Sequence, residues 1–309
     1  MIERADIERA TEVIRGRLHR TPLFSCRTLG PEVFLKAELF QKTGSFKPRG
    51  MLNKLASLSR EEKERGIVTW SAGNAAQGAA FAAAAEGIPC RVFMWASANP
   101  LKVAATRGYG AEVDLIAESP AEAHELLLAY VEETGRTFVH PFDDPVLQAG
   151  HGTLGLEVVE DMPDVATIVV PVGGGGLIAG VASAVDCRVV GVEPERAPSL
   201  SAALEAGEPV RIEPSSIADG LNAPFTGAGT LAQCRERVDE IVLVSEEEIA
   251  DGMRFLYTRA KLACEPAGAA AVAALLTHKI EVEPGSPVVA VVSGGNADPK
   301  VAAGILASR

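Results

Sequence analysis

Short apolar runs alternate with longer amphipathic or alanine-rich stretches over most of the chain. Residues 33–37, 67–70, 91–95, 112–116, 137–140, 167–170, 188–192 and 288–292 read as strands. Between them, 47–57, 75–86, 99–108, 120–133, 145–160 and 177–184 carry helical spacing. Such alternation predicts an α/β fold of mostly parallel sheets flanked by helices. Residues 65–145 hold four short βα units in succession. They read as a small mobile domain inserted in a large one made of 1–64 and 146–309.

Ligands of parallel sheets bind beyond the carboxyl ends of the strands. Three glycine-bearing loops fall there. They are Ser71-Ala72-Gly73-Asn74, the run Gly173 to Gly176, and Ser293-Gly294-Gly295-Asn296. Each alone fits a plain turn; together they predict one shared cleft. Four glycines between an apolar strand and an apolar helix let several N–H groups aim at one point. At a helix N-terminus that point favours a phosphate.

Composition limits the partners. The 309 residues allow two ordinary domains. With aromatic content of only 5%, the core has to be aliphatic and alanine-rich. The net charge of −12 argues against nucleic acid and anionic membranes as partners, so an anionic ligand must be caught by local dipoles. No apolar stretch reaches the roughly 18 residues of a spanning helix, and the N-terminus lacks a secretion signal. Five scattered cysteines, Cys26, Cys90, Cys187, Cys234 and Cys264, fit neither a disulfide framework nor a zinc site. A reducing cytoplasm is the expected location. The five histidines show no ligand spacing.

Lysine is scarce, nine against twenty arginines. Lys47 lies between Phe46 and Pro48 at an expected helix start. Burial there would push its amine toward the neutral, nucleophilic form. A phosphate cradle and such an amine together suggest pyridoxal phosphate, whose aldehyde condenses with lysine. A surface lysine at a helix N-terminus has the same spacing.

The segments KTGSFKPRG (42–50), SAGNAAQG (71–78), VPVGGGG (170–176), GVEPE (191–195), IADGL (217–221), CEPAGA (264–269) and SGGNAD (293–298) follow in order. Together the chain resembles the serine/threonine dehydratase and serine racemase family of pyridoxal-phosphate enzymes, of the tryptophan-synthase-β fold type (fold type II). The resemblance covers nearly the whole chain. It implies that Lys47 forms the Schiff base with the cofactor and moves the substrate proton. It implies Phe46 beside the ring and Asn74 on the phenolic oxygen. Gly173, Gly174, Gly175 and Gly176 would hold the phosphate, and Ser293 would face the ring nitrogen. Ser71, Gly73 and Asn74 would take the substrate carboxylate, although helix capping would also explain Ser71 and Asn74.

Three positions depart from the family pattern. Ala72 stands where racemases carry a serine acid on the opposite cofactor face, so efficient racemisation is not expected. Ala75 replaces a common histidine. At the family's cation site, Glu193 and the carbonyl of Ala197 match but Ser199 replaces an aspartate. A resident Mg²⁺ or Ca²⁺ there is therefore an open expectation. Glu265 falls near the cleft without an assigned role.

The resemblance implies a lyase that deaminates L-threonine, and L-serine beside it. Serine racemisation, another β-hydroxy amino acid elimination or β-replacement, and a non-catalytic phospho-ligand-binding protein are the alternatives. The chain ends soon after the last segment, so the C-terminal regulatory domain of long relatives is not expected. A homodimer or homotetramer is expected by likeness to relatives.

Overall fold

A computed structural model describes residues 1–308. Ten strands form two sheets. In chain order they are β1 (Leu23–Ser25), β2 (Val33–Ala37), β3 (Ile67–Trp70), β4 (Cys90–Trp95), β5 (Glu112–Ala117), β6 (Thr137–Phe138), β7 (Thr167–Pro171), β8 (Arg188–Pro194), β9 (Glu240–Val244) and β10 (Val288–Val292). The larger sheet runs β1-β2-β10-β7-β8-β9 and the smaller β5-β4-β3-β6. All neighbours are parallel except β1 and β2, so the larger sheet is mixed at one edge. The smaller sheet draws every strand from between Ile67 and Phe138.

Each sheet is covered on both faces, as parallel sheets require. In β10, Val288, Ala290 and Val292 join one core cluster while Val289 and Val291 join the opposite one. This is the two-residue period of a strand. The buried helix Pro266–Leu276 covers the first face, and Pro145–Asp161 and Gly176–Ala184 cover the second. In the smaller sheet Ile67 and Val92 face the alanine helix Asn74–Glu86, and Val68 and Phe93 pack with Leu127. No helix among the described residues is long and apolar enough to cross a membrane.

Two strands escape the hydrophobic pattern. β1 is three residues long and β9 begins on the exposed Glu240; both are edge strands with only one partner. The strand expected through His140 stops short. Nδ1 of His140 accepts the N–H of Phe142 and of Asp143, at 3.3 and 2.9 Å, and turns the chain.

Beneath the helix Lys47–Ala56 lies a buried cluster of four charges. Arg49 donates from Nε to Glu38 at 2.8 Å and from Nη1 to Glu157 at 2.7 Å. Lys36 donates to Glu157 at 2.6 Å and to the carbonyl of Thr21 at 2.8 Å. Arg49, Lys36 and Glu38 have no exposed surface. Burial opposes the charge on Arg49, but the two carboxylates outweigh it and hold the pKa above its usual value. Burial likewise raises Glu157, and Arg49 with Lys36 brings it net below the ordinary 4.5.

Removing one member strands its partner without solvent. Glu38→Ala should therefore cost about 3–5 kcal/mol in denaturant unfolding. Breaking the exposed pair Arg60–Glu64 by Glu64→Ala should cost below about 0.5 kcal/mol. The stability that Glu157 contributes should be complete above pH 4.5 and lost as pH falls through its depressed folded value. Unfolding midpoints of Glu157→Gln and of the parent, compared over that range, check this: the gap should close in acid.

Candidate active site

Between the two sheets opens a cleft of about 630 Å³. Its lining includes Phe46, Lys47, Ser71, Ala72, Gly73, Asn74, the four glycines from Gly173, Glu265 and Ser293. The three glycine-bearing loops thus meet at one place. The loop before Lys47 is laced to the last of them. The N–H of Phe46 donates to the carbonyl of Ser293 at 3.1 Å, and that of Gly295 to the carbonyl of Gly44 at 2.9 Å.

Lys47 is the first residue of its helix. Its Nζ donates to the carbonyl of Pro141 at 3.1 Å and stands 5.0 Å from the centre of the Phe46 ring. The side chain keeps some exposure through the open cleft, yet the amine is enclosed by protein. Burial pulls its pKa from 10.5 to about 8, against the opposing charge of Glu265. The carbonyl it meets belongs to the turn that His140 holds. Burial lowers His140 to about 4, so near neutral pH its ring nitrogen is free to accept those N–H groups. Edge-on to Phe46, with ring centres 4.8 Å apart, His151 is also kept neutral, first by burial and then by Lys47.

Two helices point their N-termini into the cleft. In the first, Ala179 is the earliest residue whose N–H finds a carbonyl, that of Gly175 at 3.0 Å. Among the described residues, no protein acceptor meets the N–H groups of Gly174, Gly175, Gly176, Leu177 or Ile178. Gly175 has φ of 85°, and a Cβ on Gly176 would lie 2.5 Å from the carbonyl oxygen of Phe142. Side chains are thus excluded, and the loop presents bare amides, the chemistry of a phosphate cradle. In the second helix, Asn74–Glu86, Gln77 donates to the carbonyl of Gly73, while the N–H groups of Asn74, Ala75 and Ala76 have no acceptor among the described residues. That end suits a smaller anion such as a carboxylate.

The side chains at these ends divide the work. Ser71 Oγ accepts the N–H of Gly73 at 3.1 Å, a local turn bond. Asn74 does not cap its helix. Its Nδ2 donates to Glu265 Oε1 at 2.5 Å, and its Oδ1 accepts from Asn296 at 2.8 Å. Burial raises Glu265 from 4.5 to about 7. The Ser293 hydroxyl makes no hydrogen bond among the described residues and is open to the cleft. Ala72 lines the cleft with a methyl group only.

The residues considered for a cation are arranged differently. Glu193 accepts from the N–H of Leu200 at 2.7 Å and from Ser201 N–H and Oγ at 2.9 and 2.6 Å. Both carboxylate oxygens thereby cap the helix Ser199–Ala206. The carbonyl of Ala197 accepts the Ser199 N–H at 3.1 Å, and Ser199 Oγ donates to the carbonyl of Gly173 at 3.0 Å. These atoms are spent on the chain itself, and burial raises the Glu193 pKa, disfavouring its charge. The set does not fit a hard divalent cation.

Sequence reasoning missed Asn296, His140 and the pair Lys102–Asp219. Lys102 comes from the helix Pro100–Gly108, Asp219 from the turn Asp219–Leu221, and their ion pair crosses the cleft mouth. Asn99 donates to Asp298 at 2.6 Å across the same gap. Only the charged letters in the IADGL and SGGNAD segments hinted at these partners.

Known proteins resemble the whole chain. The family described as "Pyridoxal-phosphate dependent enzyme" matches residues 14–294. The L-threonine ammonia-lyase of Thermotoga maritima is 47% identical over 308 residues, covering 96% of this chain and 76% of that protein. The catabolic L-threonine dehydratase TdcB of Escherichia coli K12 is 43% identical over 95% of this chain and 92% of its own length. Among solved structures, the threonine deaminase of T.th. superposes with a TM-score of 0.90 at 40% identity, over 96% of this chain and 99% of that one. Maize serine racemase gives 0.92 at 34%, over 96% and 94%.

A lysine of pKa about 8 gains its neutral form as pH rises through that value. Trapping by pyridoxal phosphate and borohydride, followed by peptide mapping, should label Lys47 first. Its initial rate should rise about ten-fold from about pH 7 to about pH 9 and then level off. An ordinary lysine would rise about a hundred-fold without levelling.

Proposed function

The chain belongs to the pyridoxal-phosphate dependent enzymes, and from that footing we propose that it is a lyase that removes water and ammonia from L-threonine. L-serine is the second substrate, and the products are 2-oxobutanoate and pyruvate. The observation that carries this reading is the meeting of a buried, low-pKa lysine amine with two bare helix N-termini in one cleft.

Pyridoxal phosphate, when bound, supplies the electron sink that makes the substrate Cα–H acidic. The N–H groups of the loop from Gly173 to Gly176 hold its phosphate. Phe46 packs beside its ring, and Ser293 offers a hydroxyl to its ring nitrogen. A hydroxyl does not supply the negative charge that would keep this nitrogen protonated, which favours loss of a β-substituent. Asn74 donates to its phenolic oxygen. Ser71, Gly73 and Asn74 take the substrate carboxylate at the second helix end. Lys47 Nζ removes the Cα proton; near neutral pH its lowered pKa lets it take up and release a proton readily. Ala72 cannot return a proton from the opposite face, which supports elimination over isomerisation.

The two lobes, bridged by Lys102–Asp219 and Asn99–Asp298, support residues 65–145 as a unit that closes over substrate. The five free cysteines fit a cytoplasmic protein. Assembly as a homodimer or homotetramer belongs to the same reading.

Incubation with L-threonine should release 2-oxobutanoate, and Lys47→Ala should lower the rate on the order of a thousand-fold. No 2-oxo acid above that variant's background would sink the assignment. Chiral analysis of recovered serine should find the L-form alone.

A further inference from the structure

Asn296 lies in the loop after β10, outside every role assigned so far. Its Nδ2 stands 2.7 Å from the carbonyl oxygen of Thr43 and 2.8 Å from Oδ1 of Asn74. A carbonyl oxygen only accepts, so the Asn296 atom facing Thr43 has to be nitrogen. That nitrogen gives its second hydrogen to Asn74, whose facing atom has to be oxygen. Asn74 Nδ2 is then left on the other side, 2.5 Å from Oε1 of Glu265. Of the two hydrogens on Asn74 Nδ2, one goes to Glu265 and one remains. A carboxamide that could sit either way round is set by a relay that begins at a backbone carbonyl.

The surroundings are built to keep that relay in place. A Cβ on Gly44, where φ is 74°, would lie 2.5 Å from Asn296 Oδ1. A Cβ on Gly294 would lie 2.3 Å from Glu265 Oε1 and 3.2 Å from Asn74 Nδ2. Thr43 itself has φ of 65°, a region that β-branched residues seldom enter. It stays there while its buried hydroxyl has no partner. The loop is pinned by Gly44 N–H on the carbonyl of Gln41 at 2.8 Å and by Gly295 N–H on that of Gly44 at 2.9 Å. Both residues beside the relay are glycine, and its anchor is a strained backbone.

We propose that Asn296 is a positioning residue: it fixes which way round the Asn74 carboxamide sits, so that Asn74 offers an N–H and not an oxygen to the phenolic oxygen of the bound cofactor. This rests on the role given to Asn74 above. Without the Asn296 donor, only the Glu265 contact still opposes the Asn74 amide turning over and setting its oxygen against an oxygen that is itself an acceptor.

The test is a double-mutant cycle on cofactor binding. Apoprotein of the parent, Asn74→Ala, Asn296→Ala and the double variant is titrated with pyridoxal phosphate. The dissociation constant and the visible absorption band of the bound cofactor are read, with circular dichroism as the check of folding. Each single variant should bind on the order of ten-fold more weakly and shift the band. The double variant should be no worse than Asn74→Ala alone, because both changes act through one amide. Asn296→Asp keeps the shape but loses the donor. It should match Asn296→Ala, and it carries the test if the alanine variant does not fold. Additive losses, or an Asn296 variant with the parent's affinity and band, would overturn the proposal. An unchanged band and affinity in Asn74→Ala would overturn the role of Asn74 and the proposal with it.

Discussion

The helix that carries Lys47 is tied down by one buried charge cluster. Arg49 lies two residues beyond Lys47 on the same helix, and its guanidinium is held by Glu38 and Glu157 with no exposed surface. Glu38 belongs to the turn after β2, and Glu157 to the long helix on the sheet's other side. The cluster therefore joins strand, turn and two helices at one point, and fixes the start of the helix that carries the amine. Lys36 and Arg49 offset Glu38 and Glu157, so the group is neutral as a whole. A neutral, fully hydrogen-bonded cluster adds little net stability over an apolar one, but it tolerates only one arrangement of its members. That suits a helix whose first residue has to present its amine at a set distance from two other loops.

The second constraint is electrostatic. A chain of net charge −12 opposes anions at long range. The cleft answers with short-range dipoles, two helix ends whose bare N–H groups find no acceptor among the described residues. Dipoles of this kind act over one turn of helix. They therefore draw an anion only once it has entered, and selection falls to the shape of the loops. The excluded Cβ positions at Gly174 and Gly176, both against Phe142, are that shape.

Much of this was legible in the chain. The alternating pattern located eight strands, and the glycine loops at their ends marked the cleft, because parallel sheets leave few places for backbone of that kind. Lys47, Asn74, Ser293 and the glycine run all line one cavity. What stayed hidden depends on distance in space. Asn296 meets Thr43 across 253 positions, and Lys102 meets Asp219 across 117. β1 and β9 are short or partly exposed edges, where burial leaves no strong period. The family resemblance makes Glu193 a candidate cation ligand, with Ser199 in place of an aspartate; that the helix Ser199–Ala206 bonds both carboxylate oxygens leaves no mark in the sequence. The π-turn Leu256–Ala260, closed by Lys261 at φ of 61°, likewise leaves no mark in composition, yet it leads the chain to Glu265.

Burial also brings two opposite groups close in proton affinity. Lys47 falls from 10.5 to about 8 and Glu265 rises from 4.5 to about 7, each drawn back slightly by the other's charge. An ordinary lysine and glutamate never compete for a proton, since about six units separate them. Here burial narrows that separation from both sides. His140 and His151 are both pushed down by burial as well. All four shifts have burial as their first cause, so the cleft draws each group toward its uncharged form, which for Lys47 is the form that can act as a base.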